Sequence, residues 1–214
     1  MVTARVTWND VLRALATPAP RRLTRSSSAA VALILTDGRE GIDLLLVRRA
    51  EHPDDPWSGH MAFPGGRAEP ADADLLDTAL RETAEEVGLD LSADAEALGA
   101  LDDVAAVSRG RRIDLSIRPF VFRLRTAAEL TLSDEIAGVQ WVPLTSLLEP
   151  AHRAVTAFLV GGVTRELPCL RVGEHVVWGL TYRMFAGFAA RLGAQGWTEV
   201  TDLGATLTLH EESR

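Results

Sequence analysis

Two apolar runs lie early in the chain, "AAVALIL" from Ala29 and "IDLLLVRR" from Ile42. Short runs rich in branched aliphatic residues and bounded by turn formers read as β-strands. The linking "TDGREG" contains an Asp37-Gly38 pair that favours a turn, so the two runs predict a hairpin. Farther on, "IDLSIRPFVFRLR" (113–125) alternates like a strand, and "GVQWVPL" (138–144) predicts another. A short strand is expected over Met61 to Phe63. Helical spacing governs three stretches. "TWNDVLRAL" predicts a short helix with Thr7 as its N-cap and Asp10 three residues on. Leu75, Leu76, Ala79, Leu80, Thr83 and Val87 form one stripe of a helix starting at Asp72 or Asp74 and ending at Val87, with Gly88 as its stop. "LTYRMFAGFAARLG" (180–193) predicts an amphipathic C-terminal helix ended by glycine.

Between these elements, "PAPRRLTRSSS" (18–28) and the Pro- and Asp-rich "AEHPDDPWSGH" (50–60) read as irregular connections. The tail after Trp197 shows no pattern. With neither internal repeat nor low-complexity linker, the expectation is one mixed α/β domain over 29–194. It is preceded by an N-terminal helix and connection (1–28) packed on it and followed by a tail (195–214).

Composition narrows the partners. Acidic residues outnumber basic ones by 30 to 22, giving a net charge of -8, which argues against a nucleic-acid-binding face. A small anionic substrate stays compatible with that charge where arginines or a metal neutralise it locally. Local basic clusters exist at Arg21-Arg22, at Arg48-Arg49 and at Arg109, Arg111 and Arg112, most of them expected as solvated surface. No apolar run is long enough to span a membrane, and the N-terminus lacks the layout of a secretory signal. Cys169 is the single cysteine, so no internal disulfide can form, which fits a cytoplasmic location.

One segment conflicts with ordinary helix electrostatics. In "FPGGRAEPADADLLDTALRETAEEVGL" (63–89), Glu82, Glu85 and Glu86 share one side of a helix. The Glu82/Glu86 pair costs a few tenths of a kcal/mol by repulsion. The helix C-terminus they occupy also favours cations over anions. Arg81 offsets part of this through its four-residue spacing to Glu85. An exposed acidic face is the ordinary reading of such a cluster. The Phe63-Pro64-Gly65-Gly66 turn upstream favours another: glycines permit close backbone approach, and convergent carboxylates with nearby carbonyls suit Mg²⁺ or Mn²⁺.

The run Arg81, Glu82, Thr83, Ala84, Glu85, Glu86, Val87, Gly88, Leu89 resembles the second half of a Nudix box, with Thr83 in a usually aliphatic place. Gly66 lies one residue farther from Arg81 than in the common box. Its isolated glutamate falls at Ala73, beside Asp74, and no role is assigned there. This stretch is familiar from the coenzyme A diphosphatase branch. Leu45, Leu46 and Arg49 (or Arg48), Gly59 ahead of Phe63 to Gly66, and Trp178, Gly179 and Thr181 resemble that branch too. Val47-Arg48-Arg49-Ala50 and Asp55 depart from its pattern.

The resemblance implies a Nudix-type α/β/α sandwich, a mixed β-sheet between helices, and a Nudix domain with its box at 63–89. It implies Mg²⁺-dependent hydrolysis (Mn²⁺ as a substitute) of coenzyme A or a derivative to a phosphopantetheine fragment and adenosine 3′,5′-bisphosphate. The alternatives are another nucleoside diphosphate derivative (ADP-ribose, a dinucleotide, a nucleotide sugar) or a catalytically silent nucleotide-binding domain. By the same resemblance Glu82 and Glu86 are metal ligands, Glu85 is a further ligand or water-orienting base, and Arg81 orients the carboxylates. Glu135 is a candidate base from a later loop, or an ordinary turn carboxylate. Phe63, Gly65, Gly66 and one of Arg48 or Arg49 face the substrate, because alternation sends the two arginines to opposite faces. His52 and His60, in the loop before the box, either contact substrate or, the more ordinary reading, pack in the loop or at the surface, and Trp57 either lines a pocket or anchors its loop. The expected partner is a small nucleotide of coenzyme A type, without nucleic acid or membrane, and the family is compatible with a homodimer.

Overall fold

A computed structural model describes residues 5–16, 18–52, 59–108, 111–126, 128–160 and 162–197. Trp57, Asp55, Arg109 and the tail after Trp197 lie outside them. Strands β1 (Ser27–Gly38) and β2 (Gly41–Arg49) form the predicted hairpin, closed where Gly38 faces Gly41. Its turn therefore holds Arg39 and Glu40 rather than Asp37-Gly38. The Asp37 carboxylate is engaged instead, accepting from Trp8 Nε1 at 2.7 Å and from Arg123 Nη2 at 3.5 Å.

β7 (Arg111–Leu124) runs parallel to β1, from Ser27 opposite Leu115 to Leu35 opposite Arg123. β3 (Met61–Ala62) and β8 (Ile136–Pro143) pair with β2. β4 (Gly65–Arg67) pairs with β1, while β5 (Ala95–Ala100) and β6 (Val104–Ser108) pair with β7. The result is an eight-stranded mixed sheet with β1 inside it. That place explains the unbroken apolar run of β1, since a strand covered on both faces has no polar side to show. Ala29 to Leu35 are all buried.

Alternate side chains of β1 enter two different cores. Ala30, Ala32 and Ile34 join Leu45 and Val47 of β2 against Ala79 and Val87 of helix α2 (Leu75–Val87), with Leu91 of α3 (Leu91–Asp94) alongside. Ala29, Val31, Leu33 and Leu35 face the other layer. It holds Phe185 and Phe188 of α5 (Gly179–Arg191), Val11 of α1 (Trp8–Ala16) and Leu144 of α4 (Leu144–Leu148). This is the expected α/β/α sandwich.

A three-stranded sheet was not expected: β9 (Arg153–Val160), β10 (Val163–Val172) and β11 (His175–Trp178), in the order β11-β10-β9. Pro168 sits in its central strand, opposite Val155. Proline removes a ladder donor and argues against a central strand from sequence, so the signal was masked. The connection before β1 is also less free than its composition suggests. Asp102 pairs with Arg21 (2.9 Å) and Arg191 (2.7 Å), and Asp103 pairs with Arg22 (3.1 Å) and Arg118 (2.9 Å). Two adjacent carboxylates thus tie that connection to β7 and α5, and Arg21-Arg22 is not simply a solvated cluster.

The helix that carries the acidic residues is capped at both ends. Asp74 accepts from the Leu76 and Asp77 amides at 2.7 and 3.0 Å, and Gly88 adopts φ 69° with its N–H on Ala84 O. Asp74→Ala should destabilise the fold by about 1 kcal/mol, the usual worth of an N-cap carboxylate. Urea denaturation measures it, and an unchanged midpoint would show that the cap contributes nothing.

Candidate active site

The glycine turn and α2 meet because β4 leaves no room for a side chain. Gly65 has φ 146°, and a Cβ there would lie 2.6 Å from Val31 Cα and overlap the Ala30 carbonyl. Held against β1 in this way, the Gly65 N–H donates to Glu86 Oε2 at 3.0 Å. A Cβ on Gly66 would overlap the Glu82 carboxylate. Both glycines therefore let backbone and carboxylates share one small space.

Glu86 is only 4% exposed. Its other oxygen lies 3.4 Å from Arg49 Nη1. Burial pushes its carboxyl up to about 7; the Gly65 N–H and Arg49 act the other way, and Glu82 and Glu135 add to the rise. Glu82 is raised too, first by burial, with Arg81 opposing and Glu85 and Glu135 adding. Glu135 thus acts electrostatically on both helix carboxylates.

Loop contacts put Glu135 there. The Thr131 and Ser133 amides donate to the Val87 and Glu86 carbonyls at 2.9 and 3.0 Å, satisfying the open end of α2. The Glu135 carbonyl then accepts from Ala50 N at 2.7 Å, next to Arg49. The same segment that caps the helix carries the loop carboxylate to it.

Arg81 anchors the other side. Its Nε and Nη2 contact the two Asp72 oxygens at 2.9 and 3.1 Å, Nη1 reaches Glu82 at 3.0 Å and Glu85 at 3.2 Å, and Nη2 also donates to Arg67 O. The paired guanidinium, with a backbone amide and Thr78 assisting, holds Asp72 well below the usual carboxylate range. Asp72 was missed as a site residue. Counting back from Arg81 lands on Ala73, but counting forward from Gly66 by the common spacing lands on Asp72. The extra residue falls between Asp72 and Arg81, and reading the box from both ends would have found it.

The remaining expected residues separate. Arg49 joins the glutamates, whereas Arg48 donates through Nη2 to Ala137 O at 3.4 Å and sits opposite Met61, a core residue of the other face. Phe63, expected at the substrate, is corrected to a core residue, 3% exposed and clustered with Leu44 and Leu46. The chain reverses at Pro64, whose carbonyl accepts from Ala32 N, so Phe63 points inward while Gly65 faces α2. The Glu85 side chain is 61% exposed and turned to Arg81. His60 packs its ring on Trp178 at 4.7 Å.

A three-layer sheet with an acidic helix wedged behind a glycine turn is a Nudix-type arrangement, and the NUDIX domain family model matches residues 26–159. The chain belongs to the Nudix hydrolase family. It is 35% identical over 185 residues to the mitochondrial coenzyme A diphosphatase NUDT8 of Homo sapiens, covering 86% of this chain and 77% of that protein. An uncharacterised protein of Schizosaccharomyces pombe is 43% identical over 110 residues, half of this chain (50%) but only 33% of that longer protein. A crystal structure of a MutT/nudix family protein from Enterococcus faecalis shares the fold, with TM-score 0.50 and 18% identity, over 83% of this chain and 63% of that one.

Hydrolases of this family need a divalent metal. Among the described residues no three His, Cys, Asp or Glu side chains converge on one point as they stand. Arg81 and Arg49 hold the carboxylates instead. The donor set nevertheless fits a hard cation: the buried Glu86 and the half-buried Glu82 are carboxylates of like charge, and the missing Cβ of Gly66 makes room for the Glu82 carboxylate beside the turn.

In metal-free protein the folded-state pKa of Glu86 lies above its ordinary 4.5, so stability falls as pH rises from about 4.5 through 7 and then levels. Ionising it costs on the order of 3 kcal/mol. Glu86→Gln should therefore melt roughly 6–12 °C higher than wild type at pH 8 in EDTA, and Mn²⁺ should raise the Tm of wild type alone. Equal melting temperatures in EDTA would show that the buried charge costs nothing.

Proposed function

We propose that this chain hydrolyses the diphosphate bond of coenzyme A or its derivatives, giving a phosphopantetheine fragment and adenosine 3′,5′-bisphosphate. The observation that carries a diphosphatase reading is the Glu86 carboxylate, buried between the Gly65 amide and Arg49 with Glu82 and Glu135 in electrostatic range. The coenzyme A specificity draws support from the relative named as a coenzyme A diphosphatase, which aligns over most of both chains.

Glu82 and Glu86 would hold Mg²⁺, with Glu85 as a further ligand once its exposed side chain turns from Arg81. Bound there, the ion would supply neutralisation of phosphate charge and a more acidic water. The Gly65 amide fixes the orientation of Glu86 throughout. Arg49 lies at the end of β2 on the same face and offers a guanidinium to a phosphate oxygen. Glu135 accepts the proton of the attacking water. As the new P–O bond forms, the bridging P–O bond breaks and its electron pair leaves on the departing phosphate. Arg81, tethered by Asp72, keeps Glu82 from splaying.

The test is a panel of coenzyme A, ADP-ribose and NADH, with Mg²⁺ or EDTA, and products identified by mass. Coenzyme A should yield the two named fragments with Mg²⁺ only. Intact coenzyme A alongside rapid turnover of ADP-ribose would overturn the substrate assignment. Glu135→Gln should lower kcat by about 10²-fold, the lower range for losing a general base; an unchanged kcat would move that role to Glu85.

A further inference from the structure

The match to the family model ends at residue 159, yet the structure brings a later segment back to the site. β11 lies against β3, and Trp178 at its end rests on His60 with ring centroids 4.7 Å apart at 60°. Behind it, Phe158 of β9 stacks on Trp178 at 4.0 Å and 9°. Trp178 and Phe158 belong on one face of the small sheet. Trp178 is opposite Cys169, and Phe158 is opposite Arg165, two steps of two residues along β10. All three aromatic side chains are partly exposed.

Their relation to the phosphate-binding end follows from the strand register. Met61 faces Arg48 and Ala62 faces Val47, and the Arg49 N–H donates to the His60 carbonyl at 3.0 Å. His60 therefore lies across from Arg49. Val47 and Ala62 pack in the core under α2, so Arg49 and His60, two residues from each, share that face. Arg49 reaches Glu86 while His60 carries the aromatic stack. One neighbouring pair of residues thus joins the acidic centre to a wall of rings.

We propose that His60, Trp178 and Phe158 form the subsite for the purine ring of the substrate, which stacks on this wall while Arg49 holds a phosphate. The assignment rests on the diphosphatase reading of the same site. The near-parallel Phe158 and Trp178 planes, with the His60 ring at an angle to the indole, give a surface that another flat ring extends, and stacking a base on an aromatic side chain strengthens binding by roughly tenfold or more. A pantetheine chain presents amides and methylenes along its length and gains far less from flat rings. The wall also gives the Trp178-Gly179-x-Thr181 motif a use at the site. Gly179, at φ 62°, follows Trp178 directly and turns the chain from β11 into α5.

Calorimetric titration of the whole 214-residue chain tests this without requiring turnover. Adenosine 3′,5′-bisphosphate, AMP and 4′-phosphopantetheine are the probes, against wild type, Trp178→Leu, Trp178→Phe and Phe158→Leu, each checked for an unchanged melting transition. The leucine variants should bind both adenine nucleotides about tenfold more weakly and 4′-phosphopantetheine as before, while Trp178→Phe keeps near wild-type affinity. Equal adenine-nucleotide affinity in folded leucine variants would overturn the subsite. So would a loss confined to 4′-phosphopantetheine, or wild type binding neither adenine nucleotide. If the coenzyme A assay fails but AMP binding still depends on Trp178, the wall stands and only the substrate reading falls.

Discussion

The site depends on one buried carboxylate. Glu86 occupies a position on α2 where the neighbouring Ala79 and Val87 are core residues, and an ionised side chain there is costly. Two contacts keep it in place, the Gly65 amide and the Arg49 guanidinium, and each imposes a condition on the rest of the chain. The amide requires the glycine turn to run against β1 with no Cβ. The guanidinium requires β2 to end beside the helix terminus. The interior strand, the hairpin and the acidic helix are therefore fixed relative to each other by what one carboxylate needs.

Charge in this region is arranged as layers of partial compensation. Arg81 links Asp72, Glu82 and Glu85, so the outer glutamates are held by a cation that is itself tethered. Glu86 has a weaker partner in Arg49 and the like charges of Glu82 and Glu135 nearby. The least compensated position is the most buried one. Under the proposed function, a hard cation and an anionic diphosphate would bind such a site better together than either alone, because each would relieve a charge the other leaves over. Local helix electrostatics are poor for the same reason, a cost accepted where function sits.

Much of this was legible because the signals are local. The N-cap Asp74, the stop at Gly88, the apolar stripe of α2 and the continuous run of β1 each depend on residues within a few positions. The glutamates could be singled out because their repulsion is a property of helix spacing alone. Other readings failed where two segments had to be compared. Phe63 looked like part of the turn's binding surface, but the reversal at Pro64 buries it. Asp72 was hidden by an extra residue before Arg81, which moves the count back from Arg81 onto Ala73, and its contact with Arg81 shows where it belongs. β10 was disguised by Pro168, and the clamps on Asp102 and Asp103 join residues about eighty positions apart.

From the sequence alone, then, came the class of fold, the acidic helix and the glycines before it, because periodicity, capping and like-charge spacing are short-range properties of a chain. Which arginine faces the site was not among them: alternation separates Arg48 from Arg49 but does not say which face α2 covers. Nor was the return of Trp178 to His60, or the delivery of Glu135 by a loop that caps α2. Those were decided by the packing of β2, β8 and the second sheet, since only tertiary contacts set which faces of distant strands meet.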